Sequence, residues 1–95
     1  MSQQFKQLYE FGPFRLDPAE RMMERAGEPL TVTPKVFELL LLLLENAGHV
    51  LEKEQLLARL WPDAVVEEAN LTRNISRLRK VLDEEAAGIL RKIGA

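Results

Sequence analysis

Hydrophobic and polar positions alternate in the first third of the chain and then change to a helical spacing. The alternation is interrupted at Gly12-Pro13, Asp17-Pro18 and Ala26-Gly27, which are typical turn signals. Apolar residues lie on either side of the first turn, and further strands are predicted at Arg21–Arg25 and Glu28–Val32. The alternating apolar residues are Tyr9, Phe11, Phe14 and Leu16. The pattern predicts an antiparallel sheet of four short strands.

A helical spacing begins at Thr33-Pro34, where the threonine hydroxyl can cap a helix and proline suits the first helical position. Apolar residues follow at intervals of three and four, and Asn46-Ala47-Gly48 provides a glycine stop. The leucine run Leu39–Leu44 covers more than one face, which predicts a helix that is packed on several sides. A short strand is predicted at Val50-Leu51.

Two further helices are predicted, one over Lys53–Trp61 and one from about Glu67 to Leu82. Pro62 ends the first of them. The inward stripe of the second, at intervals of four, three and four, is Leu71, Ile75, Leu78 and Leu82. A final strand is predicted at Ile89–Ile93. This order of elements predicts a single α+β domain over residues 8–95, with residues 1–7 as a flexible leader.

Composition excludes several kinds of site. The chain of 95 residues has room for one small core, and it has no cysteine and one histidine, His49. No catalytic residue, metal site or cofactor is therefore predicted. The leucine run is far shorter than the ~20 apolar residues of a membrane span, and residues 1–7 are too polar for a signal peptide. We expect a cytoplasmic chain without membrane contact.

The charge is sorted along the chain. A net charge of −2 and a pI near 5.4 argue against nucleic-acid binding when taken alone. The third predicted helix is the exception, because Ala69–Leu82 holds four basic residues and no acid, a charge of +4. The basic residues are Arg73, Arg77, Arg79 and Lys80.

The side of the third helix opposite its apolar stripe has the chemistry of a DNA-reading surface. A projection at about 100° per residue places Arg73, Ser76, Arg77 and Lys80 on that side. Asn70 and Asn74 flank them on one edge, and Thr72 and Arg79 on the other. Arginine and asparagine can bind bases bidentately, whereas Thr, Ser and Lys can bind phosphates. A solvated helix face is the plainer interpretation of the same residues. The preceding helix and short loop favour DNA binding, because they resemble a helix-turn-helix.

Four segments resemble the OmpR/PhoB-type transcriptional regulatory domain. Tyr9–Asp17 is similar to its opening strands, and Leu30–Leu41, with Val-Thr-Pro-Lys-Val-Phe-Glu-Leu-Leu, to its first helix. Ala47–Pro62 and Val66–Leu82 resemble its next two helices, in the right order and spacing. The resemblance implies a winged helix-turn-helix with an N-terminal antiparallel sheet, three helices and a truncated C-terminal hairpin.

The resemblance also implies roles for individual residues. Arg77 matches a typical base contact, and Arg73 or Asn74 match neighbouring ones. Residues 63–66 match a loop that contacts RNA polymerase in some members. The positions that match phosphate contacts are Trp61, Asn70, Ser76 and Arg79. Thr72 and Lys80 join them on the chemistry of the helix face, and the Trp61 indole could instead anchor the loop in the core.

Three departures from the family pattern matter. Val36 replaces the usual glutamate of a capping box, and Glu52 replaces the usual Ser or Thr before the second helix. The sequence ends at Ile93-Gly94-Ala95, before the expected wing and last hairpin strand. We expect weaker DNA affinity, a strand at Ile89–Ile93 without a hairpin partner, and an exposed edge that a second copy could use for a weak homodimer. No receiver domain is expected before the strands, which resembles one-component regulators.

Two other functions compete with sequence-specific binding of double-stranded DNA. A winged-helix module can bind protein without binding DNA, and an exposed apolar surface on the first helix would favour that interpretation. A hydrolytic enzyme is the remote alternative. Its candidate paired carboxylates lie at helix ends, where acids commonly stabilise the helix.

Overall fold

The computed structural model of the chain describes residues 8–46, 49–82 and 93–94. These residues belong to two compact units that divide between Val32 and Thr33. The first unit is a sheet and the second is mainly helical. The predicted leader, residues 1–7, lies outside the described residues.

The first unit is a four-stranded antiparallel sheet in which each strand pairs with its neighbour in sequence. The strands are β1 (Tyr9–Phe11), β2 (Phe14–Asp17), β3 (Met22–Arg25) and β4 (Glu28–Leu30). β3 forms although methionine has little strand preference, because its register places Met23 directly between Leu16 and Leu30. This apolar cross-strand row offsets the weak propensity, and Met23 is buried. The predicted sheet is confirmed.

Both tight hairpins of the sheet use left-handed backbone. Gly12, between β1 and β2, has φ +57°. Ala26 and Gly27, between β3 and β4, have φ +51° and +83°, the pattern of a two-residue hairpin turn with both central residues left-handed. The N–H of Ala26 also donates to the carbonyl of Pro13 at 2.7 Å, which links the two turns.

Side chains on the sheet alternate between buried and exposed along β2. Phe14 and Leu16 are buried, whereas Arg15 points to solvent and pairs with Glu10 across the strands at 3.1 Å. The Phe14 ring stacks on Phe11 with centroids 5.5 Å apart. This alternation is what a half-buried strand requires, and it follows the sequence pattern.

The described residues of the second unit form three helices and two very short strands. They are α1 (Pro34–Glu45), β5 (Leu51–Glu52), α2 (Lys53–Leu60), α3 (Glu68–Val81) and β6 (Ile93–Gly94). The three helices contact one another in every pairing, α1 with α2, α1 with α3, and α2 with α3. The four-stranded sheet and three helices confirm the predicted α+β class.

The ends of α1 follow from its capping residues. Thr33 Oγ1 accepts a hydrogen bond from the N–H of Val36 at 3.3 Å, and Pro34 occupies the first turn. At the other end Asn46 caps the helix, and its Nδ2 donates to the carbonyl of Leu42 at 2.8 Å. The predicted stop at Ala47 and Gly48 lies outside the described residues.

Apolar residues from all three helices form the core of this unit. In the leucine run, Leu39, Leu40 and Leu43 are buried and the other three are half-buried, which confirms the packing of α1 on several sides. Among the described residues of the unit, the buried ones are Val36, Phe37, Leu39, Leu40, Leu43, Leu56, Leu60, Leu71, Asn74, Leu78 and Leu82.

The described part of the chain holds only the end of the strand predicted at Ile89–Ile93. Strand β6 covers Ile93–Gly94, and the residues from 89 to 92 lie outside the described part. It pairs in parallel with β5, Ile93 with Leu51 and Gly94 with Glu52. A parallel pair is not a hairpin, so the expected lack of a hairpin partner stays a prediction, and so does the weak homodimer.

Candidate nucleic-acid interface

Helix α3 has a sharply divided surface. Leu71 and Leu78 are fully buried, and Leu82 just beyond the helix is 5% exposed. Glu68 lies in the first turn, near the positive end of the helix dipole, and Arg79 and Lys80 lie in the last turn, near its negative end. These charges therefore stabilise the helix at both ends. The packed side fixes the helix in the fold and leaves the other side available for a partner.

The exposed side of α3 is polar and, between Ala69 and Val81, free of acids. Six of the nine predicted DNA-contact residues lie there, and the structure brings them onto one continuous helix surface. They are Thr72, Arg73, Ser76, Arg77, Arg79 and Lys80, all of which are exposed. We call these six residues the basic face. It combines four cationic side chains with two hydroxyls, which is the chemistry that phosphates and base edges require.

Asn74 lies on the packed side of α3. It is 7% exposed, and its Nδ2 donates to the carbonyl of Asn70 at 2.8 Å. Ile75, which was predicted as an inward residue, is only half-buried. The helical projection explains the burial of Asn74, because Asn74 lies about 60° from Leu71, close to the apolar stripe. A buried amide that bonds its own helix is poorly placed to contact a base.

Asn70 lies at the border between the two sides of α3. It is half-buried, and its Nδ2 is 3.4 Å from the carbonyl of Glu67, the residue that precedes the helix. Its backbone N–H donates to the same carbonyl at 3.0 Å. Asn70 therefore organises the first turn of α3 and still reaches solvent beside the basic face.

Trp61 stands where α2 ends. Its backbone N–H donates to the carbonyl of Leu57 at 3.0 Å, and its backbone carbonyl accepts from the N–H of Ala64 at 3.4 Å. The side chain is half-buried, and Lys35 Nζ lies 5.4 Å from the ring centroid. The indole is thus partly packed and partly accessible, which suits both of its predicted roles, the anchor and the phosphate contact.

The loop from α2 to α3 is largely exposed. Pro62, Asp63, Ala64 and Val65 all face solvent, and Val65 is fully exposed. An ion pair joins the first residues of the two helices that flank the loop, with Lys53 Nζ 2.8 Å from Glu68 Oε1. The two helices contact each other, so the arrangement is a helix-turn-helix whose second helix carries the basic face.

Three interactions in the structure were not predicted from the sequence. The N–H of Glu52 donates to Gln55 Oε1 at 2.9 Å, which supports the start of α2 where Ser or Thr was expected. The other two are the Lys53–Glu68 pair and the contact of Lys35 with Trp61. A glutamine three residues after the cap was a signal for the first. The other two join separate elements, and periodicity does not report such contacts.

Among the described residues, no group of His, Asp or Glu could hold a metal ion. None of the described helices is both long enough and apolar enough to cross a membrane.

Residues 27–94 match the family described as "Transcriptional regulatory protein, C terminal". The chain belongs to this family. The match covers all three helices and the basic face. The family consists of transcriptional regulatory domains and is not a class of enzymes, and the resemblance found in the sequence is confirmed.

Relatives of the family support the same assignment. The sensory transduction protein RegX3 of Mycolicibacterium smegmatis is 38% identical over 79 residues, which are 82% of this chain and 35% of RegX3. The response regulator DrrB, an OmpR/PhoB homolog of Thermotoga maritima, superposes with a TM-score of 0.75 at 33% identity, over 83% of this chain and 36% of DrrB.

A DNA complex stands among the structural neighbours. The RstA DNA-binding domain of Klebsiella pneumoniae, solved with the RstA box, has a TM-score of 0.66 and 26% identity over 78% of this chain and 74% of that one. The fold is therefore the winged helix of OmpR/PhoB effector domains. The chain spans about a third of the length of RegX3 and 11% of the length of the regulator HilA of Salmonella typhimurium.

Proposed function

We propose that this domain binds double-stranded DNA in a sequence-specific way, as the effector domain of a bacterial transcriptional regulator, with α3 in the major groove. The observation that carries the proposal is the basic face of α3, with six exposed polar residues and no acid among them. A recognition helix needs one side that anchors it to a core and another that reaches the DNA, and α3 has both.

Base contacts are assigned to Arg73 and Arg77 in this proposal. Both are exposed, and both can present a guanidinium fork to guanine. Asn74 is left out, because it is buried and its amide is bonded to the carbonyl of Asn70. Phosphate contacts are assigned to Trp61, Asn70, Thr72, Ser76, Arg79 and Lys80.

Electrostatics favour this surface over the rest of the chain. The net charge of the whole chain is −2, so general attraction to DNA is weak. Acids elsewhere repel the backbone of DNA, whereas the four cations of the basic face attract it. The sorted charge favours one docking orientation, because α3 is the one described helix that offers phosphates a basic surface without competing carboxylates.

The exposed loop extends the proposal to a protein partner. Residues 63–66, with Val65 fully exposed, are proposed to contact RNA polymerase when the domain is bound to DNA. A domain that acts on chromosomal DNA works in the cytoplasm, and the proposal includes that location.

A protein-binding module without DNA binding is less well supported. That interpretation would be favoured by an exposed apolar surface on α1, yet each leucine in α1 is buried or half-buried. A protein partner with few acidic residues would also have little electrostatic attraction to the basic face.

The test is fluorescence anisotropy with labelled duplexes taken from upstream of the gene, measured over a salt series. We expect binding by the wild type and its loss in the Arg73→Ala/Arg77→Ala variant. Arg15→Ala/Arg25→Ala removes the same charge from exposed positions of the sheet and is expected to bind as the wild type does. Equal losses in the two double variants would contradict the assignment of the interface.

The two roles on the basic face are separated by single variants. Arg77→Ala should cost about 1–3 kcal/mol at the preferred site and relax specificity there. Arg79→Ala should weaken binding to all sequences alike and reduce the salt dependence, since its proposed partner is a phosphate. Competition against unrelated duplexes measures both effects. A loss that is equal in size and independent of sequence for both variants would refute the division of roles.

A further inference from the structure

Lys35 joins the start of α1 to the end of α2. Its ammonium donates a hydrogen bond to the backbone carbonyl of Leu60 and lies 3.3 Å from Glu38 Oε2. The same Nζ lies 5.4 Å from the centroid of the Trp61 ring. One cation therefore contacts both the last residue of α2 and the residue at which the chain leaves that helix.

These contacts restrain Trp61 in two ways. The carbonyls at the end of a helix lack helical partners and carry its negative dipole, so a donated hydrogen bond from a cation stabilises that end. A cation near an aromatic ring is attracted to the face of the ring. Since Lys35 is itself held by Glu38 on α1, the ring is tied to a second helix and not only to its own backbone.

We propose that Lys35 is a positioning residue for DNA binding. It holds the Trp61 indole in the orientation that reaches a phosphate, and it makes no contact with DNA itself. The inference rests on the proposed function, since the phosphate contact of Trp61 belongs to that proposal. The hold on the indole, however, is a property of the free protein and can be measured without DNA.

The free protein provides the first readout, because Trp61 is the only tryptophan of the chain. Lys35→Met removes the ammonium and keeps a long side chain. We expect acrylamide to quench the emission of the variant more strongly than that of the wild type, with a shifted emission maximum. Lys35→Arg keeps the cation and should restore the wild-type emission.

Lys53→Met is the matched control. Lys53 is 39% exposed against 38% for Lys35, and it pairs with Glu68 on α3. The two variants lose the same charge by the same substitution. Quenching that rises equally in both variants would overturn the proposal, because charge loss alone would then explain it.

The second readout is a double-mutant cycle on DNA affinity with Trp61→Phe, which keeps a ring and removes the indole N–H. Lys35→Met alone should lower affinity by about three- to ten-fold, from the lost cation–π contact and charged hydrogen bond. In the Trp61→Phe background the same change should have little further effect, since the contact that Lys35 serves is already gone.

The salt series separates positioning from direct contact. A lysine that neutralises a phosphate contributes about 0.9 to the slope of log K against log salt concentration. A positioning lysine leaves the slope unchanged while the affinity falls at every salt concentration. A slope reduced by about 0.9, or additive losses in the cycle, would refute the proposal.

Folding, the hold on the indole and DNA binding are measured separately. Circular dichroism establishes that each variant is folded, and Lys35→Gln replaces Lys35→Met if the latter unfolds. If the wild type fails to bind any duplex, the proposed function fails, whereas the quenching experiment still decides whether Lys35 holds the indole. If quenching is unchanged in folded Lys35→Met, the positioning role fails whatever the DNA data show.

Discussion

At the scale of single residues, Asn74 has a side chain that could bind a base but that bonds its own helix in the structure. Asparagine reads adenine well, and the residue lies in the middle of the helix that carries the basic face. In the structure it is 7% exposed, and its amide bonds the carbonyl of Asn70 one turn earlier. Its amide nitrogen is bonded within the helix, so we assign its contribution to α3 and to the core.

Replacement of Asn74 tests this assignment. We expect Asn74→Ala to lower the free energy of unfolding by about 1 kcal/mol, the usual net value of one intramolecular hydrogen bond. DNA affinity and base preference should stay near those of the wild type. Urea titration and anisotropy measure the two quantities. A changed base preference with unchanged stability would return Asn74 to the base contacts.

The sequence predicts the exposure of a side chain well where its position on one helix decides it, and it predicts contacts poorly where two elements meet. The exposure of Arg73 and Arg77 follows from helical geometry alone. The Lys35–Trp61 contact depends on how α1 packs on α2, and nothing in the spacing of either residue indicates it. The burial of Asn74 was within reach of the projection and was obscured by its attractive chemistry.

At the scale of elements, the helices and the first sheet are predicted closely, whereas the pairing of β5 with β6 is not. Helix α3 was expected to begin near Glu67 and spans Glu68–Val81, because the leucine spacing and the start signal agree. The parallel pairing of β5 with β6 was not predicted, since alternation along a strand carries no information about its partner. Two-residue strands are also too short to show a pattern.

The hairpin of β3 and β4 contains a residue poorly suited to its backbone. Ala26 has φ +51°, a conformation that asparagine and glycine adopt more readily than alanine. We expect Ala26→Asn to raise the free energy of unfolding by about 0.5–1 kcal/mol. Ala19→Asn, at an exposed turn residue outside the left-handed region, is the control and should be nearly neutral. Denaturant titration of both variants decides, and an equal effect in the two would contradict the explanation.

At the scale of the whole molecule, the domain combines a net charge of −2 with a strongly cationic helix surface. Affinity for DNA should therefore depend on how many cations meet phosphates and not on the total charge. Taken alone, the net charge argues against nucleic-acid binding, whereas the distribution of charge along α3 favours it. Composition limits the class of protein, whereas the positions of the charged residues indicate which partner the protein binds.

The salt dependence of DNA binding counts those phosphate contacts. If Arg79 and Lys80 face phosphates while Arg73 and Arg77 face bases, log K should fall with log salt concentration at a slope of about −2. If all four cations face phosphates, the slope should be about −4. Anisotropy between low and moderate salt distinguishes the two. The steeper slope would show that the proposed division between base and phosphate contacts is incorrect.

The pairing of β5 with β6 also bears on the order in which the chain folds as it leaves the ribosome. Each strand of the first sheet pairs with its immediate neighbour, so that sheet needs only the residues up to Leu30. Strand β5 must wait for about forty further residues, including α2 and α3, before Ile93 emerges to pair with it. Helix α3 and its basic face can therefore be present on the nascent domain before its last strand is in place.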